Sequence, residues 1–408
     1  MRSDLPPRED RNSLRLLPMF DNPASELPPR TIAGVLKRHV FYFSGFDPRG
    51  PAHYHTLYGE QGKLHTPLNG LDLEIGKRRR IGKLANAWTI KTGVTETEYE
   101  FLRWDDIIRN RWPKNEWQLL KSSVPVYWVF LKANLIGRLL RIAWPSALTV
   151  SYPIIAFLGL LLLGVLLAVA AGMLLPYYVG IPLAVGILFG TIYLGRWLDD
   201  RFRSFWLLRV YGAMQPWAYG KIPELDERIR KFADHIVERI QGSEADEILV
   251  VGHSVGSILT IPLVVEMLKR EPELGLKGPS FGLVSLGNCL PLVSLLPGSV
   301  KLREDLKTVA TAPGVRWLDF SARRDGASVT QVDPLKVSGI SRPEGIPVRP
   351  QQFPVRIVKM FPPEVYAVIK KDIFRIHFQY IMAGELLTDY DFFAITAGPL
   401  SLAERFPE

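Results

Sequence analysis

The sequence predicts an α/β protein in which a mostly parallel sheet with helices on both faces is interrupted by an inserted transmembrane helical hairpin. Two observations lead to this fold class. Outside the centre of the chain, short β-branched and aromatic runs alternate with longer helical segments, the pattern of a parallel sheet connected by helices. In the centre, residues 145–195 form a stretch of 51 residues without a charged side chain.

The first part of the α/β domain is expected over residues 31–114. Residues 1–30 are rich in Pro, Arg, Asp and Ser and show no apolar periodicity, so a disordered N-terminal arm is expected there. Aromatic and β-branched residues predict a buried strand at His39–Phe43, which runs into a glycine-containing loop. The segments expected next are a helix at about Ala52–Gln61 and two strands at Leu84–Lys91 and Glu98–Trp104.

A membrane-associated insertion is expected over residues 115–220, around the uncharged stretch. A helix that spans a bilayer needs about 20 apolar residues, so this stretch fits two spans, at about 147–171 and 178–194. Ahead of them lies an amphipathic helical pattern, Asn115–Ile142, which Pro125 is expected to break. A buried helical pair in a soluble domain is the alternative, but core helices usually keep a polar stripe and the first span is apolar on every side.

The distribution of positive charge predicts the orientation of the two spans. Cations flank both spans and the turn between them has none, and positively charged flanks stay in the cytoplasm. We therefore expect a multi-pass protein of the inner, cytoplasmic membrane with its α/β domain in the cytoplasm. The flanking cations are Lys132, Arg138, Arg141, Arg196, Arg201, Arg203 and Arg209.

The net charge of +9 is expected to serve membrane binding. Tryptophan and tyrosine interleaved with lysine and arginine beside membrane spans are typical of an interfacial belt on anionic lipids, and Trp197–Trp217 is expected to lie along this interface. A solvated basic face would use the same residues. The chain has no nucleic-acid motif, so membrane lipids, and not nucleic acids, are the expected partners. The aromatic residues assigned to the belt are Trp104, Trp112, Trp117, Tyr127, Trp128, Trp144, Trp197, Trp206, Tyr211 and Trp217.

The second part of the α/β domain, residues 221–408, contains a nucleophile motif between a strand and a helix. The apolar run Ile248–Val251 leads into the motif, and a helical pattern follows it. A nucleophile elbow is a sharp turn from a strand into a helix that holds a reactive serine. The serine of this turn has a strained backbone, and its flanking positions are glycine because a side chain would crowd the strand or the helix. A second Gly-x-Ser-x-Gly sequence, Gly278–Gly282, precedes a strand and contains a proline, so it cannot form the turn from a strand into a helix. The motif consists of Gly252, His253, Ser254, Val255 and Gly256.

The remaining segments continue the alternation of strands and helices. Ser338–Pro354 holds four prolines and two glycines, so we expect a long loop of the kind that often covers a site. The other expected elements are helices at Pro223–Ile240 and Pro363–Leu387 and strands at Leu283–Gly287, Val315–Phe320 and within Gln352–Met360.

These features resemble the α/β-hydrolase superfamily. The resemblance rests on the serine motif after a strand, on the loop Phe43–Phe46 after an earlier strand, and on acid and histidine candidates in the order Ser, Asp, His. It covers about residues 38–105 and 220–395. It implies catalytic groups at the carboxyl ends of the strands, with the hairpin inserted between two halves of a hydrolase-like domain.

The resemblance implies a catalytic triad. Ser254 would be the nucleophile and His377 the general base, because His377 is the histidine that lies late in the chain, after the motif. Asp325, in the loop after a strand, would orient the histidine, with Asp333 as the alternative acid, whereas Asp319 is expected to point into the sheet. A half-buried core histidine and a surface ion pair of the aspartate with its arginine neighbours are the competing interpretations.

The same resemblance implies an oxyanion hole formed by the backbone N–H groups of Val255 and Phe46. His253 is expected to have a structural role, because neighbouring side chains in an elbow project in different directions. The sequence contains no metal-ligand spacing and no dinucleotide fingerprint, so neither a metal nor a cofactor is expected.

The sequence thus predicts a membrane-anchored serine hydrolase of the esterase or lipase type that cleaves acyl esters, with lipids among the expected substrates. A non-catalytic membrane scaffold with a hydrolase-like fold and an acyltransferase with the same triad are the alternatives. A complete set of Ser, Asp and His favours catalysis, because a scaffold has no need of all three.

Overall fold

The computed structural model describes residues 34–345 and 347–407, apart from the side chains of residues 200 and 201. The arm expected at residues 1–30 lies outside the described residues. Within them, nine strands form one sheet. The strands are β1 (Lys37–Phe43), β2 (Glu74–Ile75), β3 (Arg79–Ile81), β4 (Ala85–Thr92), β5 (Thr95–Leu102), β6 (Glu247–His253), β7 (Ser280–Leu286), β8 (Val315–Ser321) and β9 (Gln351–Pro354).

The sheet is mostly parallel, as the sequence predicts. Its strand order is β2-β4-β5-β1-β6-β7-β8-β9, and β3 pairs with β4 beside β2. The six strands from β5 to β9 in this order run parallel, whereas β4 is antiparallel to β5 and to its two short partners. The carboxyl ends of β1, β6 and β8 therefore meet at one edge, where the triad is expected.

Helices cover both faces of the sheet. The helices are α1 (Gly50–Asn69), α2 (Asp105–Asn110), α3 (Glu116–Lys132), α4 (Leu135–Ile142), α5 (Trp144–Leu174), α6 (Tyr177–Phe202), α7 (Ser204–Ala218), α8 (Pro223–Gln241), α9 (Val255–Arg270), α10 (Leu290–Ser294), α11 (Val300–Thr311), α12 (Pro334–Val337), α13 (Pro363–Ile369), α14 (Ile373–Phe378), α15 (Phe392–Ala397) and α16 (Leu402–Arg405).

Two hydrophobic cores lie on opposite faces of the sheet. Successive side chains of a strand alternate between faces. Accordingly Ile248 and Val250 of β6 belong to the core shared with α8 and α9, while Leu249 and Val251 belong to the core shared with α1 and α15. The continuous apolar run that marked β6 in the sequence is thus a strand buried on both sides.

Helices α3 to α7 form the insertion between β5 and β6. Pro125 does not break α3, contrary to the expectation, because tertiary packing holds the helix: Tyr127 and Phe130 contact Tyr211 of α7 with ring centroids 6.4 and 5.9 Å apart. The helix ends instead before Asn134, whose φ is +49°. The two spans are longer than expected at both ends, and Trp197 belongs to α6, so the expected segment Trp197–Trp217 is split between α6 and α7.

Helices α5 and α6 are long and apolar enough to cross a membrane. Only 11% of the most apolar window of α5 and 6% of that of α6 are buried. Large apolar side chains such as Ile155, Leu162 and Phe189 are 60–70% exposed. A buried helical pair is therefore excluded as the description of these helices, because a core helix hides such side chains.

The expected aromatic belt is correct for some of its residues and wrong for others. Trp117, Trp128, Trp144 and Trp197 are 58–62% exposed. Four further members are buried in the core, so they do not face a lipid surface; these are Trp104, Tyr127, Tyr211 and Trp217.

Candidate active site

Ser254 lies in the tight turn that joins β6 to α9. Its φ of +57° and ψ of −122° are strained for a residue with a side chain. The motif glycines are required by close packing: a Cβ on Gly256 would lie 2.1 Å from the carbonyl oxygen of Phe43, and one on Gly252 would lie 2.8 Å from the backbone of Gly256. The sequence therefore forms the strained strand–turn–helix geometry expected of a nucleophile elbow, with α9 crossing directly over the end of β1.

The structure brings Ser254, His377 and Asp325 together. The Nε2 atom of His377 lies 2.7 Å from the Oγ of Ser254. The Nδ1 atom of the same ring lies 2.9 and 3.1 Å from the carboxylate oxygens of Asp325. These distances are those of hydrogen bonds, so one unbroken chain joins the hydroxyl to the carboxylate. All three side chains are buried.

Asp325 is held as a carboxylate by its partners. Burial alone would raise the pKa of Asp325, but the His377 imidazole and the hydroxyls of Ser328 and Tyr380 hold that pKa below its ordinary value. The hydroxyls donate to Oδ2 over 2.7 and 3.0 Å, and the backbone N–H of Ala327 donates to Oδ1 over 3.0 Å. Hydrogen bonds to the ionised form favour that form. The competing interpretation, a surface ion pair with Arg323 or Arg324, has no counterpart among the described contacts.

Asp333, the alternative acid, has a different role. Its Oδ1 accepts from the backbone N–H groups of Leu335 and Lys336 and so caps the single-turn helix α12. Both its oxygens also accept hydrogen bonds from the Arg342 guanidinium. Of the two candidates, therefore, it is Asp325 that contacts His377.

His253 supports the backbone that carries His377. Burial, together with the neighbouring His377, lowers the pKa of His253 to about 3, so its imidazole is neutral. Its Nε2 lies 2.9 Å from the carbonyl oxygen of His377 and donates to it. This hydrogen bond links the end of β6 to the helix α14.

The two expected oxyanion donors flank the nucleophile. Val255 is the first residue of α9, so its N–H has no partner inside that helix. The N–H of Phe46 likewise has no hydrogen-bond partner among residues 34–345 and 347–407. Gly45 brings this loop close: a Cβ there would lie 3.0 Å from the Cβ and 3.4 Å from the Oγ of Ser254. Both donors are therefore free for a developing oxyanion beside the serine.

Trp206 of α7 closes the site and was not predicted. Its Nε1 donates to the carbonyl oxygen of Phe46 over 3.1 Å, and its ring lies 6.1 Å from that of His377 and 5.2 Å from that of Phe374. The sequence placed Trp206 in the membrane belt on composition alone. Tyr380 and Ser328 were also missed, because a donor to a buried carboxylate leaves no periodic or spacing signal in a sequence.

An apolar cavity opens from Ser254 beneath the insertion. Half of its lining residues come from insertion helices, including Phe130, Val150 and one face of α7, and the rest surround Ser254 or belong to α9 and the α10 region. Ser254 is only 4% exposed, so a substrate must pass between the insertion and the elbow.

One cluster among the described residues has the composition of a metal site, and it lies away from the triad. His39, Glu98 and Glu100 place one ligand atom each within 4.8 Å of one another at the amino-terminal half of β1 and β5. His235 and Arg239 already bond to the Glu100 carboxylate over 2.8 and 2.7 Å. Although burial opposes ionisation, the bonded histidines lower the pKa of Glu100. The cluster is a neutralised ion-pair network that fastens α8 to the sheet.

No protein-family model, no curated protein and no solved structure matches this chain. The geometry of the site is therefore the basis on which its chemistry is assigned.

Proposed function

We propose that the protein is a membrane-anchored serine hydrolase that cleaves acyl esters. The observation that carries this proposal is the hydrogen-bonded chain from the Ser254 hydroxyl through His377 to the Asp325 carboxylate, over 2.7 and 2.9 Å. A serine, a histidine and a buried acid at these distances form the arrangement that activates a hydroxyl as a nucleophile.

The proposed mechanism follows from the roles of these atoms. Nε2 of His377 accepts the Ser254 proton as Oγ attacks the acyl carbonyl, and Asp325 stabilises the resulting imidazolium and holds its Nδ1–H. The N–H groups of Val255 and Phe46 donate to the oxyanion. The imidazolium then protonates the leaving alcohol, and a water molecule, deprotonated by the same histidine, hydrolyses the acyl-enzyme.

The topology supports kinship with the α/β-hydrolase superfamily. The serine follows the central parallel strand β6, the acid follows β8, and the histidine follows the last strand β9. The loop with the proposed oxyanion donor follows β1, the neighbour of β6. These positions place all the proposed catalytic groups at the carboxyl edge of the sheet.

Lipid esters are the substrate class that the surroundings of the site favour. The lining of the cavity is almost wholly apolar, and burial of each additional methylene contributes about 0.8 kcal/mol. Trp117, Val124, Trp128 and Leu131 form an exposed apolar face on α3, where Lys121 and Lys132 lie 5.0 Å from the indole rings of Trp117 and Trp128. Such a face suits the surface of an anionic bilayer, next to the cavity.

The proposed orientation places the α/β domain in the cytoplasm. The turn between α5 and α6 carries no charge, whereas cations such as Arg138, Arg196 and Arg203 lie at the opposite end of the hairpin. In this orientation the cavity faces the inner leaflet, so an acyl chain can enter it without crossing water.

Labelling with a fluorophosphonate tests the proposed nucleophile. The probe should label the purified, detergent-solubilised wild-type protein at Ser254, and Ser254→Ala should abolish both labelling and hydrolysis of 4-nitrophenyl esters. Ser280→Ala, in the second serine match of the sequence, is the matched control and should keep both. A wild-type protein that is folded but unlabelled would instead support a non-catalytic scaffold.

A chain-length series tests the lipid substrate. We expect kcat/KM on 4-nitrophenyl esters to rise from acetyl to chains of eight or more carbons, and to rise further when vesicles with anionic lipids are present. A preference for acetyl that ignores vesicles would contradict the lipid assignment while leaving the hydrolase assignment intact.

A further inference from the structure

A second pocket, separate from the cavity beside Ser254, lies at the carboxyl edge of the sheet. It is an open hollow of about 350 Å³ and shares no lining residue with that cavity. Its walls come from the first turn of α1, the β3–β4 hairpin and the start of α2. We call this hollow the arginine pocket, because five of its ten lining residues are arginines: Arg49, Arg78, Arg80, Arg103 and Arg109.

Positive charge in the arginine pocket exceeds the negative charge of its partners. The buried Asp105 carboxylate is shared by two of the arginines, over 3.3 and 2.6 Å, and Asp47 is bonded to Arg49 over 2.6 Å. Arg78 and Arg80 form no ion pair among the described residues. Five guanidinium groups thus meet two carboxylates, an excess of three positive charges. Like charges gathered in this way repel one another unless an anion lies between them.

The buried amide of Asn86 lies in the wall of the same pocket without a partner. Asn86 is only 3% exposed, and its Oδ1 has no hydrogen-bond partner among the described residues. It is paired with Arg80 across β3 and β4, and residues paired in this way project from the same face of the sheet. Burial of an unpaired amide oxygen is costly, and an apolar side chain would avoid that cost. The amide therefore points to a ligand that donates a hydrogen bond.

The first turn of α1 adds a second attraction for an anion. This helix has 20 residues, and its first turn holds no acidic residue and no side-chain cap within the described part of the chain. The free N–H groups and the positive dipole end of a helix N-terminus favour anions. A Cβ on Gly50 would lie 3.0 Å from Oδ2 of Asp105, so this turn packs against the carboxylate that two of the arginines share.

We propose that the arginine pocket binds a phosphate ester that carries hydroxyl groups, the chemistry of a glycerol phosphate. Guanidinium groups match phosphate oxygens in pairs, and a phosphate monoester carries a charge of about −1.5 to −2 at pH 7, which the excess positive charge balances. A ligand hydroxyl can donate to Oδ1 of Asn86. The volume of about 350 Å³ lies within the range of small-molecule sites, roughly 300–1,000 Å³. The binding is separate from the proposed hydrolase chemistry, because no triad residue lines the pocket.

Calorimetry on the full-length protein tests this site. The Ser254→Ala protein, which should leave lipid esters intact, is placed in phosphatidylcholine nanodiscs and titrated with glycerol 3-phosphate and with propyl phosphate, which lacks the hydroxyls. We expect glycerol 3-phosphate to bind, and to bind about five- to tenfold more tightly than propyl phosphate, the effect of one neutral hydrogen bond. No binding of glycerol 3-phosphate, or equal binding of the two esters, would overturn the proposal.

Variants assign the binding to the arginine pocket. Arg78→Ala should weaken the binding of both esters at least about tenfold, because a charge-assisted hydrogen bond is lost. Arg356→Ala, at an exposed arginine beyond β9 at the other end of the sheet, is the matched control and should not. Asn86→Leu should remove the preference for the hydroxyls, and Asn86→Ala serves if the leucine variant does not fold. Equal effects of the two arginine variants, or a preference that survives the change at Asn86, would contradict the proposed site.

A change of lipid distinguishes the two sources of this chemistry, a soluble phosphate ester and a lipid headgroup. Phosphatidylglycerol and phosphatidylserine carry the same net charge, but only the glycerol headgroup has hydroxyls. If headgroups occupy the pocket, glycerol 3-phosphate should bind more weakly in phosphatidylglycerol discs than in phosphatidylserine discs, and Arg78→Ala should reduce this difference. Equal affinity in the two kinds of disc assigns the pocket to a soluble ligand.

Discussion

Ser254 holds a backbone conformation that costs a residue with a side chain on the order of 1–3 kcal/mol. Packing around the turn stabilises this conformation, because the end of β1, with the carbonyl oxygen of Phe43, lies in close contact with Gly256. The same packing fixes the hydroxyl toward His377. The hydroxyl, the imidazole and the carboxylate are thus hydrogen-bonded to one another without a ligand, which is the preorganisation that the proposed catalysis requires.

Asp325→Asn should lower kcat by about three to four orders of magnitude, because an amide can no longer stabilise the imidazolium or hold the tautomer with Nδ1 protonated. Steady-state kinetics on a 4-nitrophenyl ester measures the effect. Asp333→Asn is the matched control and should change kcat by less than about twofold, since Asp333 serves α12 and Arg342. The opposite ranking of the two variants would refute the assignment of the acid.

The buried carboxyl of Asp319 should make the free energy of unfolding depend on pH. Both its carboxylate oxygens are buried without a hydrogen-bond partner among the described residues, and burial raises its pKa from the ordinary value of 3.8 to about 7, which the nearby Asn288 amide offsets only in part. Between these two values the folded state retains a proton that the unfolded state releases. The free energy of unfolding must therefore fall as pH rises from about 4 to about 7.

Asp319→Asn should remove this loss of stability. We expect the variant to be more stable than the wild type by roughly 2–4 kcal/mol at pH 8 and to differ little from it near pH 4. Thermal unfolding followed by circular dichroism at both pH values measures this. A gain of the same size at pH 4 and pH 8 would show that the proton on Asp319 is not its cause.

At the residue scale, the sequence predicted those site residues that belong to a recognisable local motif or a characteristic chain order. Ser254 lies in a motif whose glycines are needed because neighbouring backbone atoms lie close to them. Asp325 and His377 follow Ser254 in the order that the resemblance implied. The environment of the acid had no such signature. The Tyr380 hydroxyl donates to Asp325 across 55 residues of sequence.

Helix α7 both lines the cavity beside Ser254 and packs against other helices of the insertion. One face lines the cavity and closes over His377 through Trp206, while its neighbours pack against α3 and α5 of the membrane-associated insertion. The same helix thus links the cavity beside Ser254 to the hairpin α5–α6.

The close crossing of α9 over β1 should make the fold sensitive to a side chain at Gly256. Gly256→Ala should lower stability by at least about 3 kcal/mol, because its Cβ would lie 2.1 Å from a backbone oxygen that cannot move away. Gly212→Ala in α7 is the matched helix glycine. Its nearest neighbour would be 3.8 Å away, so alanine should be tolerated or add up to about 1 kcal/mol. Chemical denaturation distinguishes the two variants; equal effects would contradict the close crossing.

The elements themselves were predicted best where periodicity is strong. β1, β6, β8 and α8 begin and end within about two residues of their expected positions. Helix α1 extends eight residues beyond its expected end and stops at Gly70, whose φ is +67°. Proline misled the sequence analysis of α3, because packing against α7 compensates the missing hydrogen bond, and packing between distant segments cannot be read from a local pattern.

At the scale of the whole molecule, the helical hairpin α5–α6, which is long and apolar enough to cross a membrane, lies between two strands of one continuous sheet. Strands β5 and β6, on either side of the insertion, both pair with β1, so the sheet closes without the intervening residues. Residues of the insertion line the cavity at the carboxyl edge of the sheet, where the proposed triad lies.

The proposed topology predicts where single cysteines react. In a Cys289→Ser background, Tyr178→Cys in the exposed turn region should react with an impermeant maleimide in intact cells, whereas Thr308→Cys on α11 should react only after lysis. Both side chains are exposed, so burial does not confound the comparison. The reverse pattern would place the α/β domain on the outer side of the membrane.

The base of the hairpin brings its two ends together. The Tyr152 hydroxyl donates to the carbonyl oxygen of Phe202, and the ring centroids of Phe157 and Phe205 lie 5.6 Å apart, so the chain leaves and returns at nearly the same place. None of the described side chains between these points lines the cavity beside Ser254. A short linker in place of residues 158–201 could therefore join the same two points while leaving the cavity and the proposed triad as they are.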